Sequence, residues 1–209
     1  AFDGDADRAM IVEDKGDVVD GDGTLWLLAN YLVGKGKLVN RKVVATVMSN
    51  IGLEIALGNI GVGLKRANVG DKYVLDALLV VNSDLGGEQS VLIIVPENGL
   101  VGDGIMTMLF VLKAMKEAKK PLSAMVAEFV RYPQVLINVP VASKPPFKDV
   151  ERIVAERNSV EAELAGKGRL LLRYSGTENL ARVMIEGENE EVIREQAERL
   201  AAVIEGELG

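Results

Sequence analysis

Residues that could carry out chemistry crowd the start of the chain, which reads AFDGDADR. Asp3, Asp5 and Asp7 occur at alternate positions, and Arg8 follows directly. A short loop with this spacing can turn its three carboxylates toward one point, and hard oxygen ligands of this kind select Mg²⁺ or Ca²⁺. The pattern predicts a metal site, with a solvated acidic turn as the alternative.

The residues around the three aspartates exclude one kind of calcium site and indicate a second anion near the metal. An EF-hand calcium loop is excluded, because it requires glycine where this chain has Arg8 and glutamate where it has Asp14. A cation beside three metal ligands would weaken their site unless it faced a second anion, and arginine suits a phosphate. Metal and arginine around one phosphoryl group favour phosphoryl transfer, with Arg8 as the catalytic cation.

A second polar loop, RYSGTEN at 173–179, has the residue types of an anion site. Arg173 can make bidentate contacts, while Ser175, Gly176 and Thr177 can form a cradle of hydroxyl and backbone N–H donors. An ordinary β-hairpin turn with polar residues is the alternative. The loop is therefore a candidate phosphate-binding site.

Two further loops carry weaker signals. GGEQS at 86–90 offers Glu88 and Ser90 to sugar hydroxyls, and VGDK at 69–72 ends on Lys72, which could contact a phosphate. Taken alone, each segment also fits a plain surface turn. We treat these three side chains as candidate substrate-binding residues.

The composition of the 209-residue chain excludes several classes of chemistry. It contains no cysteine and no histidine, so disulfides, thiolate or imidazole zinc sites and Ser-His-Asp triads are ruled out. A net charge of −7 disfavours sequence-independent nucleic-acid binding. No apolar run approaches the ~20 residues of a membrane span, and no signal-peptide pattern is present. We expect a cytoplasmic protein with neither nucleic acid nor membrane as a partner.

The patterns of hydrophobic residues predict two domains. Strand and helix patterns alternate from about residue 18 to 130, which indicates an α/β layer with parallel strand pairs. Asp22 is the predicted N-cap of the first helix. After Tyr132-Pro133 the order becomes β-α-β-β-α, as in a split βαβ domain. The main predicted strands are 42–48, 91–95, 134–141, 168–173 and 180–187, and the main predicted helices are 24–33, 72–81, 102–118, 148–158 and 189–207.

Together and in this order, DGDADR, VGDKYV, GGEQS and RYSGTENLARVMIEG resemble the α-D-phosphohexomutase superfamily over essentially the whole chain. GGEQS, SGTEN and RVMIEG are most similar to its bacterial members that act on glucosamine phosphates. The resemblance implies a three-layer α/β mutase-type domain followed by a small α+β domain. Residues 1–17 would be the remnant of a metal-binding domain, 18–131 the sugar-binding domain and 132–209 the phosphate-binding domain.

The resemblance also implies a reaction. A phosphoserine in a preceding domain would donate its phosphoryl group to glucosamine 6-phosphate, and a bisphosphorylated sugar would return the other phosphoryl group, yielding glucosamine 1-phosphate for UDP-N-acetylglucosamine and peptidoglycan. Mg²⁺ would be the cofactor. In the family this serine occurs in a motif with histidine and asparagine, which a chain without histidine cannot contain. We therefore expect the C-terminal portion of a longer protein, lacking its N-terminal domains and inactive alone; a homodimer is an open option.

Carried onto this chain, the family roles fall on the residues already singled out. The resemblance implies that Asp3, Asp5 and Asp7 are metal ligands and that Arg8 faces the transferring phosphoryl group. It implies that Glu88 and Ser90 contact the sugar. The expected contacts to the non-reacting phosphate are Arg173, Ser175, Gly176 and Thr177.

Two departures from the family pattern are apolar. Val91-Leu92 stands where members usually have Gly-His, and Leu100-Val101 where they usually have Thr-Thr. The alternatives are an enzyme on the same scaffold that acts on mannose or glucose phosphates, and a non-catalytic paralogue that only binds sugar phosphate. The Val91-Leu92 change supports the second.

Overall fold

The computed structural model describes residues 1–209, which divide into two compact units, Ala1–Arg131 and Tyr132–Gly209. None of the helices is both long enough and apolar enough to cross a membrane. The elements of the first unit are β1 (Ile11–Val12), β2 (Val18–Val19), α1 (Gly21–Gly34), β3 (Lys42–Thr46), α2 (Ile51–Asn59), β4 (Gly63–Ala67), α3 (Asp71–Val81), β5 (Gly86–Gly87), β6 (Ile93–Ile94), α4 (Gly104–Ala118) and α5 (Leu122–Val126).

The first unit is built on a four-stranded sheet in the order β4-β3-β5-β6. β3 pairs in parallel with both β4 and β5, as predicted. β6 lies inside the predicted strand 91–95 but runs antiparallel to β5. The chain turns back directly through residues 88–92, without the helical crossover that a parallel pair would need.

Helices cover both faces of this sheet because successive side chains of a strand point to opposite sides. Val43 and Ala45 of β3 belong to a core shared with α1, α2 and α4. Val44, between them, packs with Val74 and Leu78 of α3. All three β3 side chains are fully buried. This confirms the predicted three-layer α/β fold class.

The N-cap of α1 is not the residue that the sequence predicted. Asp20, not Asp22, is the N-cap, and its Oδ1 accepts a hydrogen bond from the Gly23 N–H at 3.0 Å. Asp22 lies in the first helical turn and is fully buried. Its Oδ2 accepts from the backbone N–H of Asn50, the N-cap of α2, at 2.8 Å. The DGDG sequence offers two aspartates to the cap, and the contact with α2 decides between them.

The second unit is a three-stranded antiparallel sheet covered by two helices. Its elements are β7 (Gln134–Pro140), a short 3-10 helix (Phe147–Asp149), α6 (Glu151–Leu164), β8 (Arg169–Tyr174), β9 (Leu180–Glu186) and α7 (Glu190–Leu208). The strand order is β7-β9-β8, so β9 lies between the two strands that α6 connects. This is the predicted split βαβ arrangement.

A charged pair lies in the sheet of the second unit. Arg169 of β8 and Glu186 of β9 are directly opposite, and the Arg169 Nε donates to the Glu186 Oε2 at 2.7 Å. The Glu186 side chain is completely buried, and that of Arg169 is 15% exposed. A carboxylate in this environment depends on the facing guanidinium to offset its desolvation.

We predict that Arg169→Met destabilises the second unit strongly. Removing one partner of a buried ion pair costs about 3–5 kcal/mol, because the remaining charge stays out of water. Urea denaturation followed by circular dichroism measures the loss. The matched control is Arg194→Met, which removes an exposed pair with Glu190 and should cost about 1 kcal/mol or less. Equal losses in the two variants would contradict the interpretation.

Candidate functional site

The acidic loop at residues 3–8 is held by the N-terminus of α4. The Gly104 N–H donates to the Ala6 carbonyl at 2.9 Å, and a Cβ at Gly104 would overlap the carbonyl oxygen of Arg8. Ala6 has a φ of 59°, in the left-handed region that non-glycine residues rarely adopt. Its N–H donates to the Asp3 carbonyl at 3.2 Å and closes the turn. A glycine at 104 is thus required for the helix to approach this loop.

This turn brings the three predicted metal ligands together. Carboxylate oxygens of Asp3, Asp5 and Asp7 lie within 4.8 Å of one another. The Arg8 Nε donates to the Asp3 Oδ2 at 2.6 Å and lies 3.4 Å from the Asp7 Oδ1. That Asp7 oxygen is shielded from solvent and accepts no hydrogen bond. The arginine therefore lies against the cluster as its counter-ion.

The pKa values of Asp7 and Asp3 are shifted in opposite directions within this cluster. Burial, and then the neighbouring carboxylates of Asp3 and Asp5, raise the pKa of Asp7. Burial acts in the same direction on Asp3, but hydrogen bonds from the Arg8 side chain and backbone outweigh it and lower the pKa of Asp3. Hard, convergent carboxylate oxygens that repel one another, one of them without a hydrogen bond, fit an Mg²⁺ ion.

The predicted sugar loop is connected to the loop that carries Lys72. The Glu88 Oε1 accepts from the Gly70 N–H at 2.7 Å, and the Ser90 hydroxyl donates to the Glu88 Oε2 at 3.1 Å. The Lys72 side chain, at the start of α3, is exposed. Each carboxylate oxygen can accept a further hydrogen bond, so Glu88 stays available to a hydroxyl group.

The first residue of α1 sets the position of this sugar loop. The Gly21 N–H donates to the Gln89 carbonyl at 3.0 Å, and a Cβ at Gly21 would overlap the Glu88 carbonyl oxygen. The Gln89 side chain donates to the Asp22 Oδ2 at 3.3 Å. Sequence reasoning treated DGDG only as a helix start and missed this second role, for which the paired glycines were the available signal.

The acidic loop and the sugar loop meet at one cavity. An isolated antiparallel bridge joins Arg8 to Leu92, immediately after the sugar loop. Beside it lies a cavity of about 230 Å³ lined by Asp3, Arg8, Ser90 and Val91, together with residues 1, 2 and 10. The structure thus places a predicted metal ligand, the predicted catalytic cation and a predicted sugar contact around one space.

Val91, in the wall of this cavity, is strained. Its φ is 74°, and its side chain is almost fully buried. A β-branched residue at positive φ is a genuine outlier, because its Cβ crowds the backbone. Strain of this kind collects at functional sites. The sequence showed a valine where the family usually has glycine, but not the backbone conformation that makes the exchange costly.

The candidate phosphate loop of the second unit has an internal network of polar contacts. Arg173 and Arg182 are directly opposite on β8 and β9, an arrangement that repels unless anions lie nearby. Arg182 donates to the Glu178 carboxylate at 2.8 Å. Ser175 is buried, and its hydroxyl is 3.3 Å from both the Glu178 N–H nitrogen and the Arg182 guanidinium. The Ser175 hydroxyl is therefore engaged inside the loop.

The backbone N–H groups at the tip of this loop take no part in the internal network. Gly176 and Thr177 are exposed, and neither backbone N–H donates to another group of the chain. Two adjacent exposed N–H groups fit an anion cradle. Sequence reasoning missed two cations beside the loop, Arg182 and Lys144. Pairing across the hairpin would have found Arg182, whereas no sequence signal pointed to Lys144.

Two family models match most of the chain. The model for the phosphoglucomutase/phosphomannomutase alpha/beta/alpha domain III covers residues 20–132, and the model for the C-terminal domain of the same family covers 136–203. The chain is 44% identical over 208 residues to a phosphoglucosamine mutase of Nitratidesulfovibrio vulgaris, and 47% identical over 210 residues to one of Thermoanaerobacter sp.. It covers 46% and 47% of their lengths and is itself covered completely.

Solved structures show the same fold. The N-acetylphosphoglucosamine mutase of Aspergillus fumigatus superimposes with a TM-score of 0.77 at 20% identity, over 98% of this chain and 47% of that one. A structure of the same fungal enzyme in complex with GlcNAc-6P and magnesium has a TM-score of 0.75 at 23% identity, over 98% and 51% of the two chains. The chain belongs to the phosphoglucomutase/phosphomannomutase family of α-D-phosphohexomutases.

Proposed function

We propose that this chain supplies the sugar- and phosphate-binding half of a phosphoglucosamine mutase, which interconverts glucosamine 6-phosphate and glucosamine 1-phosphate in the cytoplasm. The observation that carries the proposal is the cavity shared by Asp3, Arg8 and Ser90. An aspartate of the acidic loop, an arginine and a serine of the GGEQS loop line one space, in a chain 44% identical to a protein of that name.

In this reaction a phosphoserine outside the 209 residues would transfer its phosphoryl group to the free hydroxyl of the sugar phosphate. The products are a bisphosphorylated sugar and a free serine, and the other phosphoryl group then returns to that serine. Arg8 would neutralise the charge that develops on the phosphoryl oxygens. A bound Mg²⁺, held by Asp3, Asp5 and Asp7, would add positive charge at the same place.

Other residues would bind the parts of the sugar phosphate that do not react. Glu88 and Ser90 would accept from and donate to sugar hydroxyls, with Lys72 as a further phosphate contact. Arg173 and the Gly176 and Thr177 N–H groups would hold the non-reacting phosphate, and Ser175 would keep their loop in shape. Binding at points remote from the reacting atoms orients the substrate for transfer.

A non-catalytic module that only binds sugar phosphate is the second candidate. The strained, apolar Val91 in the cavity wall favours it, because a valine side chain can neither donate a hydrogen bond to a sugar hydroxyl nor accept one from it. The convergence of the three aspartates favours the mutase.

The function is tested by calorimetric titration of the chain with glucosamine 6-phosphate, mannose 6-phosphate and glucose 6-phosphate, with and without Mg²⁺. We expect the tightest binding for glucosamine 6-phosphate, tighter still with Mg²⁺, and no mutase turnover by the chain alone. Equal affinity with and without Mg²⁺ would identify the binding module, and a preference for the mannose or glucose phosphate would transfer the assignment to that sugar.

Metal binding by the acidic loop is predicted separately. Asp5 is exposed, and Arg8 pairs with Asp3 and Asp7 instead, so Asp5→Asn removes one predicted ligand while leaving the arginine in place. We expect the Mg²⁺ affinity to fall at least about tenfold, a loss measured by calorimetry. The control is Asp76→Asn, an equal change of charge on the exposed face of α3, which should leave the affinity unchanged. Unaltered binding by Asp5→Asn would remove the loop as the metal site.

The strain at Val91 predicts the effect of restoring a small residue. Val91→Gly relieves about 1–2 kcal/mol of left-handed strain and loses about 1.5–3 kcal/mol of side-chain burial, so the melting temperature should fall only slightly. The widened cavity should bind glucosamine 6-phosphate several-fold more tightly. Val91→Ala is the matched variant, since it loses burial while its Cβ keeps the strain, and it should be the less stable of the two. The reverse order of stability would show that position 91 is not strained.

A further inference from the structure

The candidate phosphate loop is held by residues 144–147, which lie in the connection between β7 and α6. The Lys144 Nζ donates to the carbonyl oxygens of Ser175 and Glu178, at 2.9 and 2.7 Å. These two carbonyls stand at the two ends of the turn that carries Gly176 and Thr177. One ammonium group, which has three donors, thereby sets the separation of the two ends.

The same segment fixes the residue that precedes the turn. The Tyr174 hydroxyl donates to the Pro145 carbonyl at 2.7 Å. Its ring stacks on Phe147, with the ring centroids 4.1 Å apart and the planes 16° from parallel. Residues 144–147 therefore contact the loop through a cation, a backbone carbonyl and an aromatic ring.

These contacts determine where the loop donors point. The Ser175 carbonyl and the Gly176 N–H belong to one planar trans peptide, in which the C=O and the N–H point in opposite directions. When Lys144 holds the Ser175 oxygen on one side, the Gly176 N–H must face the other. The Glu178 carbonyl, held in the same way, fixes the Glu178–Asn179 peptide at the other end of the turn. The exposed N–H of Gly176 is thus directed away from Lys144 by a contact behind it.

We propose that Lys144 is a positioning residue for phosphate binding: it holds the carbonyls at both ends of the turn, so that before the anion arrives the Gly176 N–H already faces it and Thr177 is confined between two fixed points. The proposal rests on the proposed role of this loop as a phosphate site. A donor array that is ordered in advance loses less conformational entropy on binding and so binds more tightly.

The test compares Lys144→Met with Lys144→Arg, which keeps the charge and several donors, and with Lys148→Met. Lys148 is an exposed lysine of the neighbouring 3-10 helix that makes no hydrogen bond or ion pair with the loop, so its replacement removes the same charge and leaves the loop contacts intact. Two NMR readouts on the 209-residue chain are needed: order parameters of the Gly176 and Thr177 amides without ligand, and shifts of these amides during titration with inorganic phosphate.

We expect Lys144→Met to lower the order parameters of both amides and to weaken phosphate binding about tenfold, with an unchanged dispersion of the other resonances showing that the unit is folded. Lys144→Arg should recover most of both properties, and Lys148→Met should match the wild type in loop order. Loss of affinity in Lys144→Met without loss of loop order would overturn the positioning role and leave only an effect of charge.

The experiment also separates this proposal from the proposed function. If phosphate moves neither amide in the wild type, the loop is not a phosphate site and the proposed function loses that element. The order parameters of the protein without ligand still decide whether Lys144 holds the loop. Equal values in the wild type and in Lys144→Met would overturn the positioning role of Lys144.

Discussion

The candidate site of the first unit depends on the close approach of two helix N-termini to the backbone of two loops. Gly21 at the start of α1 donates to the sugar loop, and Gly104 at the start of α4 donates to the acidic loop. In both places a Cβ would overlap a carbonyl oxygen of the loop. The first N–H groups of a helix have no partner inside it, so each helix start is satisfied by a loop carbonyl and the loop is fixed in return. The shared cavity exists because both helices are anchored in one core.

Charge is arranged differently in the two units. In the first, three carboxylates are forced together by a turn, and Arg8 offsets part of their repulsion. In the second unit, two guanidinium groups and exposed N–H donors lie around the tip of a hairpin. The Glu178 carboxylate, which accepts from Arg182, offsets part of the repulsion between the guanidinium groups. One arrangement suits a cation and the other an anion. A metal-dependent reaction of a phosphorylated sugar would require both kinds of site, so each of them supports the proposed function.

Several site features cost stability and are maintained by their surroundings. Ala6 and Val91 both have positive φ, and both lie in the loops that form or flank the cavity. The antiparallel return of β6 and the bridge between Arg8 and Leu92 hold these segments from outside. Backbone conformations of this kind persist only where the surrounding packing over-determines them. The strained residues therefore lie in the same region as the candidate metal-binding and sugar-binding side chains.

The sequence by itself determined the residue types of the site and the class of fold. The alternating aspartates and the β-branched run of β3 are local patterns, and the periods of strand and helix follow from backbone geometry alone. Only the tertiary structure decided that Asp20 and not Asp22 caps α1, that β6 is antiparallel, and that Ser90 lies beside Arg8. Each of these depends on contacts between segments distant along the chain, where burial and packing choose between alternatives that local propensity leaves equal.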